Sequence, residues 1–333
     1  VRYEEELSMK AAVYYENGGP DVLKYEDIPD PKCPPEGVVV DVEVISLEGG
    51  DSLHRARSPF TDRPHVVGYQ CAGTVREVGP RVTQRKVGQK VVVLVPSGSH
   101  AERVASAAAT TWLVPQGANL REVACVPVAF GTAHEALFEL GRLEGGQTVL
   151  VHAGAGGVGL AAIQLAKAAQ ARVVTTASSD EKLTRLRELG ADHGVNYKTS
   201  PLAEAVGKAV GPNAVHLVVD PVAGKILQDS VECLTYRGRI VNLGFAGRDM
   251  SPFNPLPMWQ KNANLVGMSL SASLKFEFAR THAVIEECIA RVVRGELRVV
   301  IDREFALKDA ARAHEYVESR AAFGRVVMVP RAA

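Results

Sequence analysis

Apolar and polar positions along the chain change rhythm twice. From residue 9 to 122, short Val-rich runs such as 38–45, 66–78 and 90–95 are cut by Pro and Gly at 18–20, 29–37, 79–80 and 96–98. Runs of this length bounded by turn residues predict strands, seven or eight of them. No helix of ordinary length is expected before residue 120. From 123 to 270, strand-like runs alternate with helical ones: 147–153 then 157–170, 172–177 then 180–189, 215–220 then 223–234, then 239–243 and 264–270. Over 157–170, Val158, Ala162, Leu165, Ala166 and Ala169 share one helical face. Alternation of this kind predicts a parallel sheet covered by helices on both faces. From 271 to 333 the character is mixed again, with helices expected at 275–294 and 308–319 and a strand at 325–329. The last stretch resembles the first, so the chain is expected to fold back and complete the first domain. The predicted organisation is therefore an α/β chain with one domain from 9–122 and 271–333 and a second from 123–270.

Composition narrows the possibilities. The 333 residues carry 38 basic and 38 acidic side chains, and a balance of zero offers no electrostatic footprint for nucleic acid. Hydrophobic residues make up 46% and charged residues 23%, which is ordinary globular usage and argues against disorder. No apolar run approaches the ~18 residues of a membrane span. Residues 1–8 carry neither a basic region followed by an apolar core nor any other pattern, so no secretory signal is read there. The five cysteines are scattered, with no CxxC pair, which speaks against a disulfide framework or a Cys-rich zinc site. A reduced cytoplasm is the simplest compartment.

The strongest chemical signal is Val149-Leu150-Val151-His152-Ala153-Gly154-Ala155-Gly156-Gly157-Val158-Gly159. A predicted strand runs into Gly154-x-Gly156-x-x-Gly159 and a predicted helix follows. This setting suits a dinucleotide: one glycine for the tight turn, one for approach to the pyrophosphate and one for helix–strand packing. The helix N-terminus, opening with Gly157 and Val158, offers N–H groups to the phosphates. An NAD site ordinarily has an acid at the end of the next strand. Here that end reads Thr175-Thr176-Ala177-Ser178-Ser179, and Ser178-x-x-Glu181 reads as a capping box that starts a helix. Small polar residues, with Lys182 one turn in, favour the 2′-phosphate of NADP(H).

The chain resembles the medium-chain dehydrogenase/reductase superfamily, in its zinc-free quinone oxidoreductase and enoyl reductase branch. The residues that carry the resemblance are Met9-Lys10-Ala11-Ala12-Val13, Gly68-Tyr69-Gln70-Cys71-Ala72-Gly73-Thr74-Val75, the glycine loop, Leu189-Gly190-Ala191-Asp192-His193 and Gly324-Arg325-Val326-Val327. The resemblance implies a GroES-like β-rich domain built from both chain ends and a Rossmann domain in the middle. It implies 2′-phosphate contacts at Ser178, Lys182, Tyr197 and Arg320. It places the nicotinamide near Thr132, the Gly244-Phe245-Ala246 turn and Gly267-Met268-Ser269. Solvated charges for Lys182 and Arg320, and a partly buried strand position for Tyr197, are the alternative readings of those residues.

Zinc-dependent members use a Cys, then a Gly-His-Glu motif. The matching positions here hold Ile45 and Gly68-Tyr69-Gln70, none of them usual zinc ligands, so no metal is expected. Related quinone oxidoreductases carry an Asn at the position of Glu48, and a loop with Asp51 follows. Glu48, Tyr69 and Arg55 are the catalytic candidates. Glu48 would donate a proton if burial raised its pKa, and Tyr69 or Arg55 would stabilise charge on a carbonyl oxygen. Glu48 as a solvated loop acid, Tyr69 as packing, and His54 and Arg55 as surface residues are the plainer alternatives. His134 is expected to start the helix after a turn at Phe130-Gly131-Thr132.

The expected activity is NADPH-dependent hydride transfer to a quinone or an α,β-unsaturated carbonyl. The alternatives are a biosynthetic enoyl reductase and a non-catalytic NADPH-binding protein of crystallin or sensor type. A homodimer is expected through the edge strand at 264–270.

Overall fold

The computed structural model describes residues 8–330, so the stretch read for a signal pattern lies almost wholly outside the described residues. The chain divides into two compact units, one from the residues up to 128 with those from 289 onward, the other from 129 to 288. The sequence rhythm placed these changes at 122/123 and 270/271.

The first unit holds β1 (Ser8–Tyr14), β2 (Lys24–Pro29), β3 (Gly37–Leu47), β4 (His65–Val66), β5 (Gln70–Val78), β6 (Lys90–Leu94), β7 (Arg103–Ala107) and β8 (Thr111–Leu113). Strand β3 is its axis. Nearly every β3 residue is buried, and it pairs antiparallel with both β5 and β7. Valines of β3 and its sheet neighbours β5 and β6, Val38, Val40, Val42, Val75, Val91 and Val93, share one buried core. The helix Gly49–Arg57 was not expected. Its sequence opens on two glycines and carries few apolar residues, so neither propensity nor periodicity announces it. What starts it is a reciprocal cap. The Glu48 backbone N–H donates to Asp51 Oδ2 at 2.8 Å, while the Glu48 side chain accepts from the N3 backbone.

The second unit carries β9 (Thr148–Val151), β10 (Arg172–Ala177), β11 (His193–Asn196), β12 (Val215–Asp220), β13 (Leu234–Asn242) and β14 (Asn264–Gly267). All neighbours pair parallel, in the order β11-β10-β9-β12-β13-β14. Counted along this unit that is 3-2-1-4-5-6, the doubly wound order whose chain reversal lies between β9 and β12. The helix Leu202–Val210 was not anticipated, and β11 was foreshadowed only by the alternative reading of Tyr197, which lies one residue past its end. In His193–Asn196 only Val195 is buried, so the strand has no apolar run to reveal it. Strand β14 stops at Gly267, and Leu270 begins a separate helix, Leu270–Phe276. The single helix expected at 275–294 is therefore two, broken at Glu277 before Phe278–Val293.

The chain end returns to the first unit as β15 (Ile301–Ala306) and β16 (Arg325–Val329). Strand β16 pairs antiparallel with β3, Met328 opposite Ile45 and Val326 opposite Leu47, so the last strand completes the first sheet as its composition suggested. Among the described residues no helix is long and apolar enough to cross a membrane.

Candidate functional site

The glycine loop follows β9 at the carboxyl edge of the parallel sheet, and each glycine has a separate steric reason. A Cβ on Gly154 would lie 2.1 Å from Thr175 Oγ1, so this residue lets the turn press against β10. A Cβ on Gly159 would lie 2.4 Å from Ala153 O and 2.7 Å from Gly154 Cα, so this one lets the helix Gly157–Ala168 close on the turn. Gly156 differs: a Cβ there would approach only Ala153 O, at 3.3 Å, leaving its outer side open. No side chain caps the helix, and the N–H groups of Gly157, Val158 and Gly159 in its first turn have no intrahelical acceptor. An open glycine beside a fan of N–H groups is a cradle for a diphosphate.

The register of the next two strands builds the neighbouring position. Ala177 is opposite Asn196, so the residues that leave the sheet together are Ser178 and Tyr197. The helix Asp180–Glu188 begins here, one residue later than the Ser178 box implied. Ser179 is the cap, its Oγ accepting from Lys182 N at 3.3 Å. That leaves Ser178 outside the helix. Asp180, the nearest acid, accepts from Asn196 Nδ2 at 3.0 Å. Ser178, Tyr197 and Lys182 are thus gathered around one strand end. Arg320 belongs to the other unit, just after the helix Ala310–Glu318, on left-handed backbone with φ of 59°.

Phe130-Gly131-Thr132 is not a turn. It lies inside the helix Val126–His134, and His134 ends that helix rather than starting one. Gly131 suits the position because a Cβ would press within 3.3 Å of both Leu270 and Ile285 side chains. Thr132 is largely buried. A π-helical segment, Glu135–Glu139, continues the helix. In it the buried Glu135 is gripped by Arg280 through two bonds of 2.6 and 2.9 Å, and by Ser273 Oγ at 3.0 Å.

Two residues the sequence reading passed over organise the remaining candidates. Asn242 ends β13 and donates through Nδ2 to Asp220 O, Asp220 Oδ2 and Gly244 O, each at 3.2 Å. Its carbonyl accepts from Met268 N at 2.9 Å. One side chain and its backbone therefore tie the half-exposed Phe245 turn to Met268. Asp220, fully buried at the end of β12, also accepts from Val222 N and Ala223 N. A polar residue directly after a pair of buried apolar ones, Val218-Val219 in β12 and Ile240-Val241 in β13, was the available signal for both.

In the first unit, Glu48 is buried rather than solvated. Its Oε1 accepts from Arg325, from Gln70 Nε2 at 2.5 Å and from Ser46 Oγ at 3.2 Å. Burial pushes the carboxyl up, against the pull of the Arg325 guanidinium. Gln70 Oε1 in turn accepts from Val128 N at 2.9 Å. Tyr69 donates to Gly50 O at 3.2 Å and lies 3.5 Å from His54 Nδ1, and burial raises its phenol above the ordinary range.

Arg55 departs furthest from expectation. It is fully buried, bonded to His314 Nδ1 at 2.7 Å, Glu318 at 2.5 Å and Gly18 O at 3.2 Å. A guanidinium with this many protein acceptors is a structural tie, so its assignment to a developing oxyanion is corrected. Ile45 is buried opposite Cys71 in the β3–β5 ladder. Among the described residues no group of three or more His, Cys, Asp or Glu side chains is placed to hold a metal ion.

Comparison with known proteins adds independent findings. Residues 34–136 match the family described as alcohol dehydrogenase GroES-like domain, and 157–287 match zinc-binding dehydrogenase. The chain is 30% identical to quinone oxidoreductase of Rattus norvegicus over 96% of its own length and 98% of that protein's. It is 31% identical to a 2-haloacrylate reductase of a Burkholderia species, over 97% of its own length and 99% of that protein's. Among solved structures, the quinone oxidoreductase of Escherichia coli complexed with NADPH superposes with a TM-score of 0.91 at 26% identity, covering 96% of this chain and all of that one.

Proposed function

Because the chain belongs to the medium-chain dehydrogenase/reductase superfamily, in its quinone oxidoreductase branch, we propose that it is an NADPH-dependent reductase of quinones or α,β-unsaturated carbonyls that works without a metal. The observation that carries the cofactor half is the pairing of the open Gly156 cradle with a β10 end that presents Ser178, Tyr197 and Lys182 while Asp180 is engaged by Asn196. A carboxylate free to accept from the ribose would repel a 2′-phosphate, whereas hydroxyls and an ammonium donate to it. The relative with NADPH bound supports the same choice.

When bound, the dinucleotide supplies the hydride, and with it both electrons. The protein's share is to hold the ring and to answer the charge that develops on the acceptor's oxygen. Asn242 keeps the Phe245 turn and Met268 in fixed relation, which suits a nicotinamide platform. Tyr69 is assigned to hydrogen-bond the carbonyl oxygen, because its phenol stays protonated well above neutral pH, while the proton that completes the reduction comes from water. Glu48 is assigned to the framework behind Tyr69, since its carboxylate is committed to Arg325 and Gln70. Likeness to the 2-haloacrylate reductase keeps conjugated alkenes in the substrate class beside quinones.

NADPH oxidation with a panel of quinones and conjugated enones, run with and without chelator, tests this reading. Consumption of one NADPH per acceptor reduced, unaffected by chelator, is expected. NADPH binding without turnover on any acceptor would instead mark a non-catalytic binder. Tyr69→Phe is expected to lower turnover about 100-fold, with NADPH affinity unchanged within a few-fold; full activity in that variant would move the hydrogen-bond donor elsewhere.

A further inference from the structure

His152 stands at the mouth of the glycine loop, fully buried, and takes no part in the chemistry above. Its two ring nitrogens meet two hydroxyls: Nδ1 lies 3.2 Å from Thr176 Oγ1, and Nε2 lies 2.8 Å from Ser230 Oγ. Thr176 Oγ1 also accepts from Ala153 N at 3.2 Å, and Ser230 Oγ reaches Ile226 O at 2.6 Å. Ala153 is the residue that turns the chain into the loop, on left-handed backbone with φ of 50°.

Donors and acceptors decide the tautomer. If Nε2 carries the proton, it donates to Ser230, whose own hydrogen goes to Ile226 O. Thr176 then donates to Nδ1 and accepts from Ala153 N, so every hydrogen has an acceptor. If Nδ1 carries the proton, Thr176 Oγ1 must accept from both Nδ1 and Ala153 N, and its own hydrogen is left without one of these acceptors. Stranding a buried hydroxyl hydrogen is costly. A doubly protonated ring meets the same obstacle, and burial independently disfavours its charge.

We propose that His152, held as the neutral Nε2–H tautomer between Thr176 and Ser230, is a positioning residue for the dinucleotide loop. The relay runs in one direction: Ala153 N–H to Thr176, Thr176 to His152, His152 to Ser230, Ser230 to Ile226 O. It fixes Thr176 Oγ1 as the acceptor for Ala153 N–H. With Gly154 N donating to Thr176 O at 2.9 Å, it clamps both residues of the turn to the end of β10. The free N–H groups of the following helix turn are thereby held in one place. This inference rests on the dinucleotide reading, and it concerns the diphosphate part of the ligand rather than the 2′-phosphate part.

Two ligands separate the roles: NADPH, which spans the loop, and 2′-AMP, which lacks the diphosphate and reaches only the Ser178, Lys182 and Tyr197 end. Thr176→Val and His152→Phe are each expected to weaken NADPH about tenfold while leaving 2′-AMP within twofold. The double variant should be no worse than the poorer single one, because both cut one relay. Thr176→Ser, which keeps the hydroxyl, should restore NADPH affinity. Nitrogen-15 imidazole spectra of the unaltered protein should show His152 protonated on Nε2 only. Equal losses for both ligands, additive losses, or no loss would overturn the proposal, as would an Nδ1–H signal in protein that binds NADPH. Unaltered protein that binds neither ligand would overturn the dinucleotide reading itself, and the spectrum would still report whether the relay exists.

Discussion

One oxygen of Glu48 receives Ser46, Gln70 and Arg325, side chains that come from three separated parts of the chain. That convergence explains why the sequence misleads at this position. An acid followed by two glycines has every local mark of a solvated loop, and only the return of β16 beside β3 brings Arg325 over it. Glu48→Gln leaves the buried Arg325 charge poorly compensated and is expected to cost ~3 kcal/mol in denaturant unfolding. Adding Gln70→Glu returns a carboxylate to the cluster and should recover more than half of that loss. A single variant as stable as the parent would show that the pair carries little. Lys182 is a different case, since its place in the helix's first turn was readable from the chain. Lys182→Ala is expected to weaken NADPH by at least about one decade at low salt and to leave NADH nearly unchanged. Equal affinity of the parent for NADH and NADPH would return Asp180 to the ribose.

Elements that announce themselves and elements that do not differ in where their stabilisation comes from. Strands β9, β10 and β12 are buried on both faces over most of their length and each carries a block of adjacent apolar residues, Val149–Val151, Val173-Val174 and Leu217–Val219, so the parallel sheet was legible. The helix Gly49–Arg57 depends on a cap, and the helix Val126–His134 on close packing at Gly131; neither leaves a periodic trace. Burial also sets two imidazoles, one in each unit, that composition cannot reveal. Burial holds His152 down at about 4 and His314, beside Arg55 and His100, well below 6.5. In the unfolded chain both would titrate near 6.5. The folded form therefore binds fewer protons in the window beneath that value, and its stability must fall as the pH falls through it. For His152 the span from 6.5 to about 4 corresponds to about 3 kcal/mol at 1.36 kcal/mol per unit. Urea unfolding should show a loss of roughly 1 kcal/mol per buried imidazole between pH 7 and pH 5.5, before most carboxylates respond. His152→Phe should flatten part of that slope. A stability independent of pH across this range would mean that the two rings are not held neutral.

At the scale of the whole molecule, one sheet edge remains to be explained. Strand β14 pairs with β13 on one side only, and no described strand of this chain takes the other. Three of its four residues are exposed, Leu265 among them. Just upstream, Asn262 donates to the hydroxyl of the exposed Tyr236, and its backbone joins that of Trp259, which is 72% exposed. A short apolar edge flanked by exposed aromatic rings invites pairing, and the strand carries no Lys, Pro or bulge of the kind that blunts such edges. A second copy related by a twofold axis would satisfy it, because β14 could then lie antiparallel to its own image and extend the sheet into the partner. The pairing would bury Leu265 on both sides and supply acceptors for the outward N–H groups, which fall on alternate residues of the strand. Sedimentation at micromolar protein is expected to give a dimer. Leu265→Glu places two like charges against each other at the axis and should yield a monomer whose NADPH affinity is retained, since the glycine loop sits on β9 at the centre of the sheet. A monomeric parent protein, or a Leu265→Glu variant that still sediments as a dimer, would place the contact elsewhere or remove it.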